Sequence, residues 1–366
     1  MPVMIALVAA VAVGCALYVA EGLFAPVAFA LFVIAVVWPL QRRLQARLPK
    51  LLAVLATLVV TLAVVGAVTS VVVWGFSHVG QWVFANAGRF QVLYAQLGDW
   101  LEGHGFVLAA IATEHFDVRW LLRLFQDVSG RLQGLASFLV FTFVYVLLGL
   151  LEVDALVSQL KALERRGKGA FLLSAGADIA RKLQKYMAVR TLMSIATGAV
   201  VWVFTLTAGL ELALAWGAMA FAFNYIPFIG PFIATLLPTL FALAQFESWE
   251  MALFVFVCLN LIQFLSGSYI EPRIAGKATA VSPFLVLFAV FFWAFLWGVP
   301  GAFIGVPILI AIVTLCAHHP ATRAVADVLS GLPAHEVPAH EVANHEVANH
   351  EVAGPHHRAP HRDPAV

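Results

Sequence analysis

The sequence predicts an all-α polytopic membrane protein with about six full transmembrane helices and two further hairpin-like elements, eight or so membrane segments in all. Three observations carry that reading. Hydrophobic residues make up 62% of the 366 positions and charged residues only 11%, a balance foreign to soluble domains. Uninterrupted apolar stretches of bilayer-spanning length occupy residues 3–20, 23–40, 51–74, 134–151, 187–210 and 251–270. Two more apolar stretches, residues 212–243 and 281–316, are broken near their midpoints by proline and glycine.

Residues 1–76 hold the first three spans. The N-terminal run lacks a basic leader region and the 23–40 stretch follows it at once, so it reads as a membrane helix rather than a cleaved signal. Arg42, Arg43, Arg47 and Lys50 then mark a cytoplasmic turn by the positive-inside rule, which also places the N-terminus inside. Residues 77–133 are expected outside as amphipathic helices. Val79, Val83, Phe90, Leu93, Leu97 and Leu101, then Leu121, Leu124, Phe125, Val128 and Leu132, recur at helical spacing, with a break at 103–105. Such faces suit mutual packing first, and an interfacial or oligomer contact second.

The 134–151 span leads into a cytoplasmic amphipathic pair over 152–186. Leu156, Leu160 and Leu163, then Ala175, Ile179, Leu183 and Tyr186, form its apolar faces, and Lys161, Arg165, Arg166, Lys168, Arg181, Lys182 and Lys185 its basic one. Residues 187–316 make up the transport core, and 317–366 a cytoplasmic, histidine-rich, disordered tail. In that tail His335, His340, His345 and His350 repeat every five residues, so successive rings do not share a helix face and no defined metal site is expected. Cys15, Cys258 and Cys316 all lie in apolar segments, with no disulfide or metal spacing. The formal net charge of +1 identifies no partner beyond the bilayer; neither nucleic acid nor a cofactor is expected.

Within the first broken stretch each half of about 15 residues reaches roughly 22 Å, short of a hydrocarbon core of about 30 Å. Its break runs Asn224-Tyr225-Ile226-Pro227-Phe228-Ile229-Gly230-Pro231. Pro227 and Pro231 lack amide hydrogens and free the carbonyls four residues upstream. Asn224 and Tyr225 bring polar groups, and Gly230 permits a tight turn. The second stretch breaks at Gly298, Pro300 and Gly301, and again near Gly305 and Pro307, which together form a candidate hinge. Arg273 and Lys277 should be cytoplasmic, so each broken stretch is expected to return to the side it started from, as a re-entrant hairpin or as two short spans. Two interrupted elements entering from opposite faces suggest inverted repeats around a transport pathway.

Asn260 and Gln263 lie three apart on one face of the 251–270 span, as interhelical glue or as pathway groups. Glu271, Pro272, Arg273 and Gly276 follow at its inner end. A Glu271–Arg273 ion pair there is a candidate gate, and a partly buried Glu271 a candidate coupling group.

The segments Asn-Tyr-Ile-Pro-Phe-Ile-Gly-Pro at 224–231 and Glu-Pro-Arg-Ile-Ala-Gly-Lys at 271–277 carry a resemblance, with Ser282-Pro283, the Phe-Trp-Ala-Phe-Leu-Trp-Gly run at 292–298 and Gly305-Val306-Pro307. Together they resemble the AI-2E family, the PerM-like or autoinducer-2 exporter family of bacterial inner-membrane transporters. The resemblance implies a secondary transporter that exports a small signalling molecule, or a cation/proton antiporter as in some relatives. It also implies a homo-oligomer, a pentamer among its forms. The chain carries neither a Walker motif nor a zincin pair, and it is not expected to be an enzyme. An elevator-like or rocking mechanism around the opposed broken helices fits this reading; the alternative from a different class is a non-transporting membrane scaffold or accessory protein.

Overall fold

Among the described residues there are helices and turns but no strands, which suits a chain whose amides must be satisfied within lipid. The computed structural model describes residues 2–86, 88–90, 92, 96, 103, 119–164, 170–275, 282–319 and 322–330. Most of residues 91–118, expected to lie outside, together with Arg165, Arg166, Lys168, Gly276, Lys277 and the histidine-rich tail, therefore fall outside the described residues. The elements are α1 (Pro2–Val19), α2 (Glu21–Gln45), α3 (Lys50–Ala85), α4 (Arg119–Glu164), α5 (Ala170–Thr207), α6 (Ala213–Phe223), α7 (Ile229–Phe246), α8 (Trp249–Phe264), a π-helical turn (Leu265–Ile270), α9 (Glu271–Ala275), α10 (Pro283–His318) and α11 (Arg323–Ser330). Among the described residues, seven helices are long and apolar enough to cross a membrane. This is an all-α polytopic membrane protein.

Two helices outrun the spans read from hydropathy. α4 has 46 residues and α5 has 38, about 69 and 57 Å at 1.5 Å per residue. Both run without interruption through residues 134, 152 and 187, where the apolar and amphipathic sequences meet. Hydropathy reports which medium surrounds a helix; nothing at those positions stops its backbone hydrogen bonding.

The helices gather their basic ends on one side of the bundle. Gln41 donates to the Leu150 carbonyl at 3.0 Å and Lys50 to that of Leu151 at 2.8 Å. Gln184 donates to the Ala35 carbonyl at 2.7 Å, and Lys182 reaches the Thr314 hydroxyl at 3.2 Å. At the opposite end the Trp82 indole donates to Glu211 at 2.6 Å, and Arg89 to the Gln245 carbonyl at 3.3 Å.

The first broken stretch is a hairpin of α6 and α7. With 11 residues, α6 reaches only about 16 Å. The Gln245 side chain ties the hairpin's two ends together, accepting from the Glu211 amide at 2.9 Å and donating to the Gly209 carbonyl at 2.8 Å. Its limbs pack through Trp216 against Phe241, ring centroids 5.0 Å apart, in a core shared with Val201 of α5 and Val255 and Leu259 of α8.

The second broken stretch also doubles back, within α10. Gly298 has φ 62° and ψ −140°, backbone open to glycine and hostile to L side chains. A Cβ placed on Gly301 would lie 1.8 Å from the Trp293 carbonyl oxygen, and one on Gly305 would lie 2.9 Å from that of Ala289. Residues 283–297 and 299–318 are thus opposed limbs of one hairpin, pressed together where glycine leaves room. Its tip docks far from the basic end: the Trp297 indole donates to the Leu17 carbonyl at 3.1 Å and packs with Ala25 and Phe138. The two hairpins enter from opposite ends of the bundle and meet where Tyr225 stacks on Phe303, ring centroids 5.8 Å apart.

Candidate functional site

The tip of the first hairpin, residues 224–228, is a tight turn whose own amides restore the bonding that its prolines remove. The Phe223 carbonyl, freed by Pro227, accepts from the Ile226 amide at 2.9 Å, and the Pro227 carbonyl, freed by Pro231, accepts from Ile229 at 2.7 Å. The freed carbonyls are therefore satisfied within the turn, and Asn224 is not needed to satisfy them. Its side chain instead donates to the Ser194 hydroxyl of α5 at 3.2 Å, and Tyr225 donates to Thr191 at 3.1 Å. Gly230 is a packing residue, since a Cβ on it would lie 1.8 Å from the Phe223 carbonyl oxygen. Phe228 is held at φ 63°, a left-handed backbone that costs a non-glycine residue about 1–3 kcal/mol and recurs at functional sites.

A single face of α5 supports this turn and its neighbours. Arg190, Ser194 and Thr197 fall at i, i+4 and i+7, with Thr191 beside them. Thr197 is hydrogen-bonded to Ser266 in the π-helical turn. Arg190 Nη1 donates to both carboxylate oxygens of Glu271, each at 2.7 Å. Both partners are withdrawn from solvent, with side chains 8% and 22% exposed. An ion pair so placed inside an apolar bundle marks a pathway more often than a scaffold contact.

Between these elements lies a cavity of about 730 Å³. α5 contributes Tyr186, Val189 and Arg190, and the first hairpin Asn224, Pro227, Phe228 and Pro231. Asn260, Gln263, Phe264, Gly267 and Ser268 come from α8 and the π-helical turn, Glu271 and Pro272 from α9, and Pro283, Val286, Val306 and Ile310 from the second hairpin. Three buried polar atoms of its lining have no hydrogen-bond partner among the described residues: the Tyr186 hydroxyl, Arg190 Nε and Gln263 Nε2. Orphaned polar groups of this kind are rare unless water or a ligand meets them.

The family model for the AI-2E family transporter matches residues 7–320 of the chain. The chain belongs to the AI-2E transporter family. It is 26% identical over 323 residues to the "AI-2 transport protein TqsA" of Escherichia coli, covering 87% of this chain and 92% of that protein. It is 30% identical over 194 residues to a "Putative transport protein" of Borreliella burgdorferi, covering 53% of this chain and about half, 52%, of that protein. A third relative, the "Putative transport protein YhhT" of Escherichia coli, is 30% identical over 123 residues, 34% of this chain and 35% of that protein.

In this AI-2E chain, Asn224, Pro227, Pro231, Asn260, Gln263, Glu271 and Pro272 line one cavity, although the sequence separates them by up to 48 positions. Tyr225 and Gly230 support the turn from outside it. The Glu271–Arg273 gate is corrected: Glu271 pairs with Arg190, and the Arg273 guanidinium lies 3.8 Å from the centre of the Tyr269 ring. Two residues apart on a helix, Glu271 and Arg273 point to different faces, so the pair does not form. Asn260 bonds back to its own helix, donating to the Phe256 carbonyl at 2.8 Å. Of the candidate hinge, Gly298, Pro300 and Gly301 form the far tip of the second hairpin, while Gly305 and Pro307 are buried in its return limb.

Sequence reasoning missed Arg190, Tyr186 and the π-helical turn. A lone arginine inside the apolar 187–210 stretch was the available signal for the first, because an ionisable residue at membrane depth is a site hypothesis in itself. Ser266-Gly267-Ser268 inside an apolar helix was the signal for the last, since π turns cluster at functional sites.

Proposed function

We propose that this protein is a secondary transporter whose cavity between the two hairpins binds a small polar solute and exposes it alternately to each side of the bacterial inner membrane. The observation that carries the proposal is the cavity itself. A buried ion pair, three unsatisfied polar atoms and the tip of one broken helix converge there, beside the limbs of the second. Half-helices meeting at a site from opposite sides are the recurrent architecture of alternating access, by rocking or by elevator-like displacement of one unit. With TqsA named as an AI-2 transport protein, export of an autoinducer-2-like signal is the substrate reading we adopt. The basic end of the bundle faces the cytoplasm in this proposal, with both termini inside, and the protein works as a homo-oligomer.

Glu271 also weighs on the choice between solutes. Its two oxygens are already taken by Arg190, so the site offers no uncompensated carboxylate to a bare cation. That favours a molecular solute over sodium/proton exchange.

The test is a proteoliposome panel comparing small furanosyl signals with sodium and proton movement. Saturable flux of a furanosyl solute supports the proposal. Cation/proton exchange alone replaces it with antiport, and absence of flux for every solute and cation leaves a membrane scaffold.

A further inference from the structure

Resting on the transporter reading but not on its furanosyl substrate, the chemistry of the cavity wall points to a charged solute. Arg190 commits only Nη1 to Glu271. The opposite edge of the guanidinium, formed by Nε and Nη2, makes no hydrogen bond of standard geometry among the described residues; Nε is sealed within the protein and the Tyr186 hydroxyl lies beside the guanidinium. That edge is a rigid two-donor fork, matched to the paired oxygens of a carboxylate or phosphate. Gln263, itself only 8% exposed and lining the same cavity, has no partner for its Nε2 donor among the described residues, and the Tyr186 hydroxyl sits against the Arg190 guanidinium.

We infer that the cavity binds the oxyanion group of a small organic solute, a carboxylate or phosphate ester, on the free edge of Arg190, with Gln263 Nε2 as a further donor. The volume of about 730 Å³ accommodates the remainder of such a molecule against Phe228, Phe264 and Val286. Glu271 sets the strength of this site. It neutralises the guanidinium from the far side, so an arriving anion meets an arginine already shared with a carboxylate. That arrangement gives moderate affinity, suited to a solute that must be released.

The experiment is binding to the purified full-length protein in detergent, read by thermal shift and calorimetry. The probes are succinate, inorganic phosphate, glycerol and tetramethylammonium. We expect succinate or phosphate to stabilise the protein and glycerol and tetramethylammonium not to. Gln263→Leu removes a donor that no bond among the described residues uses, and should weaken oxyanion binding roughly 5- to 10-fold without lowering the melting of the free protein. Glu271→Gln removes the competing charge and should tighten it several-fold, the opposite of what a merely damaged site would show.

Stabilisation by tetramethylammonium alone, absence of oxyanion binding, or oxyanion binding indifferent to both variants overturns the inference. Its fate is separable from that of transport. Oxyanion binding with these signs but no flux in proteoliposomes retains the inference and removes the transporter reading. Flux of an uncharged furanosyl solute without oxyanion binding does the reverse.

Discussion

A methyl group at Gly301 is the most direct probe of the second hairpin. A Cβ there would lie 1.8 Å from the Trp293 carbonyl oxygen, 2.5 Å from its carbonyl carbon and 3.1 Å from Trp297 Cβ. A carbon and a carbonyl oxygen settle at about 3.3 Å, so Gly301→Ala must part the limbs by roughly 1.5 Å. The obstacle is backbone in a helix, which cannot rotate away as a side chain would. Overpacking of this kind costs about 1–3 kcal/mol, and the rigid obstacle puts this variant near 3 kcal/mol. At about 2–4 °C per kcal/mol, detergent melting should fall by roughly 6–12 °C. Separating the limbs also displaces Val306 and Ile310, which line the cavity, so flux should fall with stability. Gly176→Ala is the control: nothing lies within 4 Å of its added Cβ, and in a helix interior alanine is favoured over glycine by up to about 1 kcal/mol. If Gly301→Ala melts within about 2 °C of the parent, the limbs are not packed as described and the reasoning fails.

Further outcomes follow from the site. Read from sequence, Glu271 belongs to an exposed pair worth about 0–1 kcal/mol, so Glu271→Gln would lower flux and spare melting; its buried partner Arg190 changes that, and melting should fall too, by about 1–3 kcal/mol. Arg190→Ala should cost more, about 3–5 kcal/mol, because it leaves a partly buried carboxylate alone. Asn224→Ala leaves the Ser194 hydroxyl without its partner and should cost about 1–2 kcal/mol while weakening solute affinity; full transport with unchanged affinity would remove Asn224 from the pathway. With Cys15, Cys258 and Cys316 replaced by serine, an impermeant maleimide should label Gly88→Cys on intact cells and Leu48→Cys only after permeabilisation. Labelling of Leu48→Cys from outside would invert the proposed orientation.

Much of the fold was legible because membranes impose simple rules on sequence. A polar or helix-breaking residue in an apolar stretch stands out, which is why Asn224, Pro227, Gln263 and Glu271 could be singled out and why they line one cavity. Both broken stretches were expected to turn back, and both are hairpins. Backbone continuity was less legible. The long α4 and α5 pass through changes of hydropathy at 134, 152 and 187 that looked like element boundaries.

The sequence by itself determined the helical class, the membrane setting, the two breaks and the polar residues beside them, since each depends on local composition and on the backbone chemistry of proline and glycine. Only the tertiary structure decided that Glu271 pairs with Arg190, 81 positions away, rather than with its neighbour Arg273. Only it showed that the freed carbonyls are satisfied by their own turn, and that Arg190 Nε finds no hydrogen-bond partner among the described residues. The physical reason is common to all three: a buried charge or hydrogen-bonding group takes its partner from whatever packing brings within about 3 Å. In this bundle that is set by how α5 lies against two hairpins and the π-helical turn, a relation that no single stretch of sequence contains.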